Sequence, residues 1–195
     1  TTEPEDGGVS VSMNECTFDN TPYSYAADRS AGSYVGAVTI TIDGKEVERV
    51  LSDNTVCAVV GGVEKIFDDI QSAVTDADEG STIIVAPGTY DGNIQFDDKS
   101  LTIKAQYPAY PEDGEIPADE LLSVFTGTFN TSEGTNDADF KADQCVTIDG
   151  IAFKGDGLKV GNNNYNTVGE LIVKNCTMVC GKNLVNGVVN YNQYN

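Results

Sequence analysis

The chain has 195 residues, which is long enough for one domain, or two small ones, with a hydrophobic core. Its 31 acidic and 11 basic side chains give a formal net charge of −20, so nucleic acid and anionic membranes are poor partners because the surface repels phosphate groups. Histidine is absent, which excludes Ser-His-Asp and Cys-His catalysis within the chain and imidazole ligands for zinc.

Hydropathy and charge indicate a secreted or cell-surface protein without a membrane span. No apolar run approaches the roughly 18 residues of a membrane-spanning helix. The acidic surface suits an extracellular location, and a leader removed before Thr1 would leave no signal peptide in this sequence. The five cysteines lack CxxC spacing and are expected to pack as buried thiols or to form one disulfide: Cys16, Cys57, Cys145, Cys176 and Cys180.

The first elements of the chain are a tail, a strand and two hairpins. Residues 1–8 are polar and predict an exposed tail, whereas the segment from Val9 to Phe18 alternates apolar and polar side chains and predicts a strand. Alternating runs on both sides of Asp43-Gly44, and again on both sides of Gly61-Gly62, predict two hairpins.

One helix is predicted between the hairpins and the later strands. Its apolar residues fall on one face at helical spacing: Phe67, Ile70, Ala73, Val74 and Ala77. We expect about three turns, with Asp68 and Asp69 in the first turn, where the helix dipole favours acidic side chains. Gly80 is placed to end the helix.

After the helix, a repeated apolar pattern predicts a coil of parallel strands. Aligning Val146 with Leu171, 25 positions apart, also places Ile148 on Val173, Ile151 on Cys176 and Phe153 on Met178. Leu101 and Ile103 open in the same register. Short strands and Asn/Gly turns at a period of about 20 to 30 residues are typical of a parallel β-solenoid. An antiparallel sandwich with accidental similarity is the alternative.

A family resemblance supports the solenoid. GGVEKIFDDIQSAVTDADEGSTIIVAPGTYDGNIQFDDKSLTIKAQ (residues 61–106) resembles the N-terminal cap and first turn of right-handed parallel β-helix proteins of the pectin-lyase-like superfamily. It also resembles non-catalytic β-helix modules of bacterial surface proteins. The resemblance implies an all-β fold: a right-handed parallel β-helix (solenoid) with one N-terminal capping helix and preceding β-hairpins. It implies little about chemistry, because one fold supports many functions.

These elements predict three regions. Residues 1–20 form an N-terminal tail and a solenoid-like strand, and residues 21–62 form a hairpin region. Residues 63–195 form the capping helix and the parallel β-helix, with an insertion at 106–143 that is longer than an ordinary loop.

Catalysis is not expected. The resemblance implies either an Arg or Lys base with calcium, or paired aspartates, but the two arginines, Arg29 and Arg49, precede the repeated strands. Asp149 and Asp156 are the nearest aspartate candidates, and the matching places one repeat later hold Lys174 and Gly181. A pair of carboxylates on adjacent repeats is therefore missing.

One acidic segment carries a calcium hypothesis. Asp137, Asp139 and Asp143 lie close together in sequence, and calcium prefers such oxygen ligands. The segment lacks the glycine and the closing glutamate of an EF-hand loop, so a solvated acidic loop is the alternative. No cofactor other than this calcium is predicted.

The same apolar pattern stands at both ends of the chain. The N-terminal copy, a candidate donor strand, comprises Val9, Val11, Met13, Cys16 and Phe18, and the C-terminal copy, a candidate acceptor turn, comprises Leu171, Val173, Cys176, Met178 and Val188. Three interpretations stay open: the first strand caps the last turn of its own molecule, it adds to the last turn of another molecule, or it ends a preceding solenoid of a longer protein.

The sequence therefore favours an extracellular or cell-surface structural protein. Its partner would be a second copy of itself in a head-to-tail filament joined by N-terminal strand addition. An adhesin-type module that binds a cell-surface glycan or protein is the alternative, and an enzyme acting on acidic polysaccharide is the third hypothesis.

Overall fold

The computed structural model describes residues 9–15, 24–27, 31–32, 38–96, 99–111, 114, 117–130, 144–154, 157–161, 170–179 and 185–188. One α-helix, α1 (Ile70–Asp76), and one 3₁₀ turn (Asp119–Leu121) occur there. The strands are, in chain order, β1 (Val9–Met13), β2 (Ser24–Ala27), β3 (Val38–Ile42), β4 (Lys45–Glu46), β5 (Glu48–Leu51), β6 (Val56–Val60), β7 (Val63–Phe67), β8 (Thr82–Val85), β9 (Gly88–Tyr90), β10 (Asn93–Gln95), β11 (Leu101–Ala105), β12 (Ser123–Phe125), β13 (Thr128–Asn130), β14 (Cys145–Asp149), β15 (Ala152–Phe153), β16 (Gly157–Gly161), β17 (Glu170–Lys174), β18 (Thr177–Met178) and β19 (Val185–Val188).

From β8 onward, the chain visits three sheets in rotation. The first is six-stranded, in the order β17-β14-β11-β8-β6-β7. The second has the order β18-β15-β12-β9 and the third the order β10-β13-β16-β19. Each pass through the three sheets is called a repeat below, so that β8 to β10 form the first described repeat and β17 to β19 the last.

The predicted fold class, one right-handed parallel β-helix, is wrong for this chain. The described strands form five separate sheets rather than one β-helix, and parallel and antiparallel pairs are mixed. β3 pairs with β4, and β6 with both β7 and β8, in antiparallel fashion. The reason lies partly in β6, which is buried on both faces, with Val56 and Ala58 in the main core and Cys57 in a smaller one. Such a strand joins a sheet instead of preceding it as a separate hairpin.

The two predicted turns are present, but one hairpin is shorter than expected. Gly61 and Gly62 connect β6 to β7, and Asp43-Gly44, with φ of 49° and 75°, connects β3 to β4. The strand after Glu46 leaves that hairpin, because β5 pairs in parallel with β2. The predicted insertion at 106–143 also contains β12 and β13, which pair with β9 and β10.

The 25-residue register predicted from the repeat is confirmed by the pairing of β14 with β17, in which Val146 faces Leu171 and Ile148 faces Val173. Phe153 faces Met178 in the second sheet. Side chains that point into the core thus lie above one another in successive strands, and each such set of register partners is called an inward column. Because parallel strands are about 4.8 Å apart, the members of an inward column are in contact and are all apolar.

The core lies between the three sheets that the chain visits in rotation. Ile83, Ile103 and Ile148 form one column, and all three are fully buried. Phe125 lies 4.4 Å from Phe129 between ring centroids, and both are buried. Burial of each such side chain stabilises the fold by about 1.5–3 kcal/mol.

The helix is shorter than predicted and begins later. Asp69 is its N-cap, with the side chain accepting from the Ser72 backbone N–H at 2.7 Å, so neither Asp68 nor Asp69 lies in the first turn. The helix ends at Asp76 because the Ala77 backbone, with ψ of 144°, has left the helical region before Gly80 is reached. Within the described ranges, no helix is long and apolar enough to cross a membrane.

Candidate assembly surface

The first described repeat is covered at its outer edges, and this end is called the closed end. The antiparallel strand β6 pairs with β8. The segment before β6 bonds the chain between β8 and β9: Asn54 donates to the Pro87 carbonyl at 2.7 Å, and Ala86 donates to the Thr55 carbonyl at 3.0 Å. Each of these contacts satisfies backbone groups that an edge would otherwise leave to solvent or to another chain.

A side chain of the helix covers the edge of β10. The Gln71 carboxamide oxygen accepts from the Gln95 backbone N–H at 2.7 Å, and its nitrogen lies 3.2 Å from the Gln95 carbonyl oxygen. One amide side chain thus takes the place of a neighbouring strand at this position.

Two charged side chains bond backbone groups at the closed end, one at the end of the helix and one at the hairpin turn. The Lys99 ammonium donates to the carbonyls of Val74 at 3.2 Å and Ala77 at 2.9 Å, at the end of α1. The Asp78 carboxylate accepts from the N–H groups of Gly61 and Gly62, both at 2.9 Å. These two backbone hydrogen bonds lower the pKa of Asp78 below its usual value of 3.8.

The last described repeat has no such cover among the residues that the structure describes, and this end is called the open end. β17, β18 and β19 stand last in their sheets. Four apolar side chains here are half-buried and pack against the core: Leu171, Val173, Cys176 and Met178. Their predecessors one repeat earlier are fully buried: Val146, Ile148, Ile151 and Phe153. Ile172 and Val179 are 38% and 71% exposed.

The predicted acceptor residues thus lie together at the open end, where Val188 is the last residue of β19. Of the predicted donor residues, Val9, Val11 and Met13 lie in β1. Cys16 and Phe18 lie outside the described residues, as do the predicted calcium ligands Asp137, Asp139 and Asp143. No group of three or more potential metal-binding side chains occurs among the described residues.

Strand β1 is an edge strand of a different sheet. It pairs in parallel with β3, so that Val11 faces Ile40 and Met13 faces Ile42, and β4 lies on the other side of β3. Val11 is 42% exposed. In the described part of the chain β1 makes no pairing with β17 or β18, so the interpretation in which β1 caps its own last turn has no contact to support it.

The three described cysteines are free thiols with raised pKa values. Burial, followed by the Glu64 charge, raises the pKa of Cys57 to about 11. Burial also raises the pKa of Cys176, whose thiol donates to the Lys174 carbonyl at 3.1 Å. Burial and the nearby Glu170 charge raise the pKa of Cys145. Thiols of this kind react slowly, because the thiolate is the nucleophile.

Asp149, one of the two aspartates that the sequence offered as catalytic candidates, is bonded to neighbouring side chains of the fold. It is 7% exposed, accepts from the Asn175 side-chain amide at 2.7 Å and lies 3.3 Å from the Lys174 ammonium. Its register partner in β17 is Lys174, as the sequence predicted, so no carboxylate faces it there. Asn175 adopts a φ of 55°, which lets its side chain reach back to the preceding strand.

Two clefts lie away from the open end. One, of about 390 Å³, lies between α1 and β7 and contains the ion pair between Lys65 and Asp76 at 2.8 Å. The other, of about 210 Å³, is lined in part by Arg49, which is bonded through both terminal nitrogens to Glu64. Lys65 and Arg49 are thus each paired with a carboxylate, and the second cleft is also lined by Lys104 and Glu48.

Sequence reasoning missed the residues that make the two ends different. Gln71 lies within the predicted helix but outside its apolar pattern, and its contact with Gln95 depends on how the helix packs against β10. Asp78 and Asn175 follow no periodic pattern. The tolerance of asparagine for the left-handed backbone predicts a tight turn at Asn175, and its φ of 55° confirms this, whereas its side-chain contact with Asp149 was not predicted.

No protein-family model matches this sequence, and neither the curated proteins nor the solved structures contain a match to it. The resemblance to the pectin-lyase-like superfamily therefore stays a prediction.

Proposed function

We propose that this protein is an extracellular or cell-surface structural subunit that assembles head to tail, with the N-terminal strand of one copy adding to the open end of the next. The observation that carries the proposal is the difference between the two ends. One end covers its strand edges with a hairpin, a helix and the Gln71 side chain, whereas the described part of the other ends on strands that are paired on one side only and carry half-buried core residues.

The partner that fits the open end best is a second copy of the chain. The segment from Val9 to Met13 carries the apolar spacing of the repeated strands, and it is already engaged in a parallel pair. An unpaired parallel edge accepts a strand of matching pattern through backbone hydrogen bonds. Because the two contacting surfaces differ, the contact need not close and generates a filament.

The test is negative-stain electron microscopy of the wild-type protein beside two lysine variants. Ile172→Lys places a charge on the open edge, which blocks strand addition. Thr82→Lys is the matched control, because Thr82 belongs to the same outward column, through Thr102 and Thr147, at the closed end.

We expect threads of uniform width from the wild type and from Thr82→Lys, and single particles from Ile172→Lys with an unchanged circular dichroism spectrum. Single wild-type particles at every concentration, or threads from Ile172→Lys, would contradict the proposal.

A second candidate, an adhesin-type module that binds a glycan, is favoured by one exposed aromatic residue. Tyr110 is 53% exposed, and its backbone N–H donates at 2.8 Å to the carbonyl of Asn175, whose side-chain amide is bonded to Asp149. An aromatic face next to polar side chains is suited to a sugar ring. A glycan array probed with the wild type and with Tyr110→Ala tests this second candidate. Selective glycan binding that the variant loses supports an adhesin, and a wild type that binds no glycan contradicts it.

A further inference from the structure

The backbone hydrogen bonds of β1 determine which of its residues face the free edge. The Asp43 N–H donates to the Met13 carbonyl at 3.0 Å, so the backbone groups of Met13 point toward β3. Backbone groups alternate in direction along a strand, so those of Ser10 and Ser12 point the other way. Among the described residues β3 is the one strand paired with β1, and the edge formed by Ser10 and Ser12 carries no strand there.

In β17 the hydrogen bonds likewise identify the residues that face the free edge. The Glu170 N–H donates to the Gln144 carbonyl at 2.9 Å, and the Lys174 carbonyl accepts from the Gly150 N–H at 3.0 Å. The backbone groups of Glu170, Ile172 and Lys174 therefore face β14. By alternation, those of Leu171 and Val173 face the open edge.

The two free edges fit in one alignment that also follows the sequence repeat. In a parallel pair, a residue that bonds across lies beside a residue whose own backbone groups point away. This rule allows Ser12 beside Glu170, Ile172 or Lys174, and of these only Ile172 puts Val11 beside Leu171 and Met13 beside Val173. The repeated apolar pattern gives the same alignment, and this pattern depends on the sequence alone and not on the hydrogen bonds.

The side chains agree with this register. Val11 and Met13 share a face with their partners Ile40 and Ile42, and the opposite face carries the hydrogen bond between the Ser12 and Thr41 hydroxyls at 3.2 Å. In the alignment above, the apolar face of the β1-β3 pair extends the core columns that end at the open end. A slip of one residue would bring serines into those columns instead.

Charge permits the approach. Copies with a net charge of −20 repel each other, but β1 contains no charged residue, and β17 contains one acidic and one basic residue, Glu170 and Lys174. The two contacting strands are thus each neutral, and only the more distant charges oppose contact, at a range that salt screens.

From these observations we propose that β1 joins the next copy through its free edge while it stays paired with β3 of its own chain, so that one sheet runs through the joint in the register of Val11 with Leu171. This inference rests on the proposed function and specifies how the subunits meet. Strand exchange, in which β1 leaves β3 to pair elsewhere, would break the five-residue pairing with β3, whereas edge addition keeps it.

The test uses a disulfide that links β1 covalently to β3 of the same chain. Ser12 and Thr41 are register partners, and adjacent parallel strands bring their Cα atoms within the range of a disulfide, so Ser12→Cys/Thr41→Cys forms an intramolecular bond. Mass spectrometry of tryptic peptides verifies that this pair, and not a native cysteine, is oxidised. The reduced form of the same variant is the control.

We expect the oxidised and reduced forms to make threads to the same extent. Threads from the reduced form alone would overturn edge addition and establish strand exchange, with head-to-tail assembly intact. Single particles from wild type and variant alike would contradict the proposed function itself.

A second measurement tests the register. Copies carrying Ser12→Cys are mixed with copies carrying Ile172→Cys, and the intermolecular disulfide is quantified. The control mixes Ser12→Cys with Glu170→Cys, which lies two residues away on the same strand. The proposal requires cross-linking in the first mixture well above the second, and equal or reversed yields would overturn the register.

Discussion

The side-chain amide of Asn175 donates a hydrogen bond of 2.7 Å to a carboxylate oxygen of Asp149, which lies one repeat earlier. The Asp149 carboxylate is buried, and the Lys174 ammonium is 3.3 Å away. The last described repeat is thus attached to the preceding one by a polar contact as well as by strand pairing. This contact holds in place the strand whose outer edge is proposed to receive the next subunit.

Two variants of Asn175 separate its side-chain bond from its backbone conformation. Asn175→Gly keeps the φ of 55° accessible but removes the amide, which leaves Asp149 one partner fewer and lowers the free energy of unfolding by about 1–3 kcal/mol. Asn175→Ala loses about 1–2 kcal/mol more, because alanine is strained in the left-handed region. Urea unfolding followed by circular dichroism measures both, and equal losses would show that the backbone conformation contributes little.

Gln71 is predicted to protect the edge of β10. Gln71→Ala leaves the Gln95 N–H and carbonyl without this partner and lowers the free energy of unfolding by about 1–2 kcal/mol. Gln71→Glu is the matched control, since its carboxylate still accepts from the N–H but donates nothing to the carbonyl. Amide hydrogen exchange is the direct readout: the Gln95 amide should exchange faster in Gln71→Ala and stay protected in Gln71→Glu. Unchanged protection in Gln71→Ala would show that another group covers this edge.

The sequence predicted those parts of the fold that depend on apolar periodicity. Val146 and Leu171 are paired as expected, because an inward column must repeat apolar residues at each pass of the chain. It did not predict that β1 pairs with β3, since the alternation from Val9 to Met13 identifies a strand but not its partner. The fold class was wrong for a related reason. The pattern of inward columns says nothing of β6, which is buried on both faces and joins its neighbours in the antiparallel sense.

The candidate site was predictable in part. The acceptor residues were found because Leu171, Val173, Cys176 and Met178 follow the repeat, and the structure brings them together. The closed end was not predictable in detail, because the contacts of Gln71 and Asp78 depend on the packing of a helix and a turn that are distant in sequence from the edges they cover.

Asp78 is predicted to make stability depend on pH in the acid range. Its pKa is lowered in the folded state by the Gly61 and Gly62 N–H groups, so its stabilising contribution is fully present above the ordinary pKa of 3.8. The contribution is lost as the pH falls below that value through the folded-state pKa. The difference in melting temperature between wild type and Asp78→Asn should therefore be constant near neutral pH and shrink below about pH 4. A difference that grows on acidification would show that the carboxylate is not stabilised in its charged form.

Cys176 should report assembly directly. In the single chain its side chain is half-buried at the open end, so iodoacetamide reaches it slowly, and the burial that raises its pKa slows the reaction further. In threads the neighbouring copy, whose Met13 lies beside Val173 in the proposed register, restricts access to the open end, and labelling of Cys176 should fall well below that of the single chain. Cys145 is the internal control, since it lies in β14, one strand in from β17 and beside Glu170, so that an added strand should change its labelling much less than that of Cys176. Peptide mapping by mass spectrometry measures each cysteine separately. Equal loss of labelling at Cys145 and Cys176 would point to general compaction, and unchanged labelling of Cys176 in threads would place the joint elsewhere.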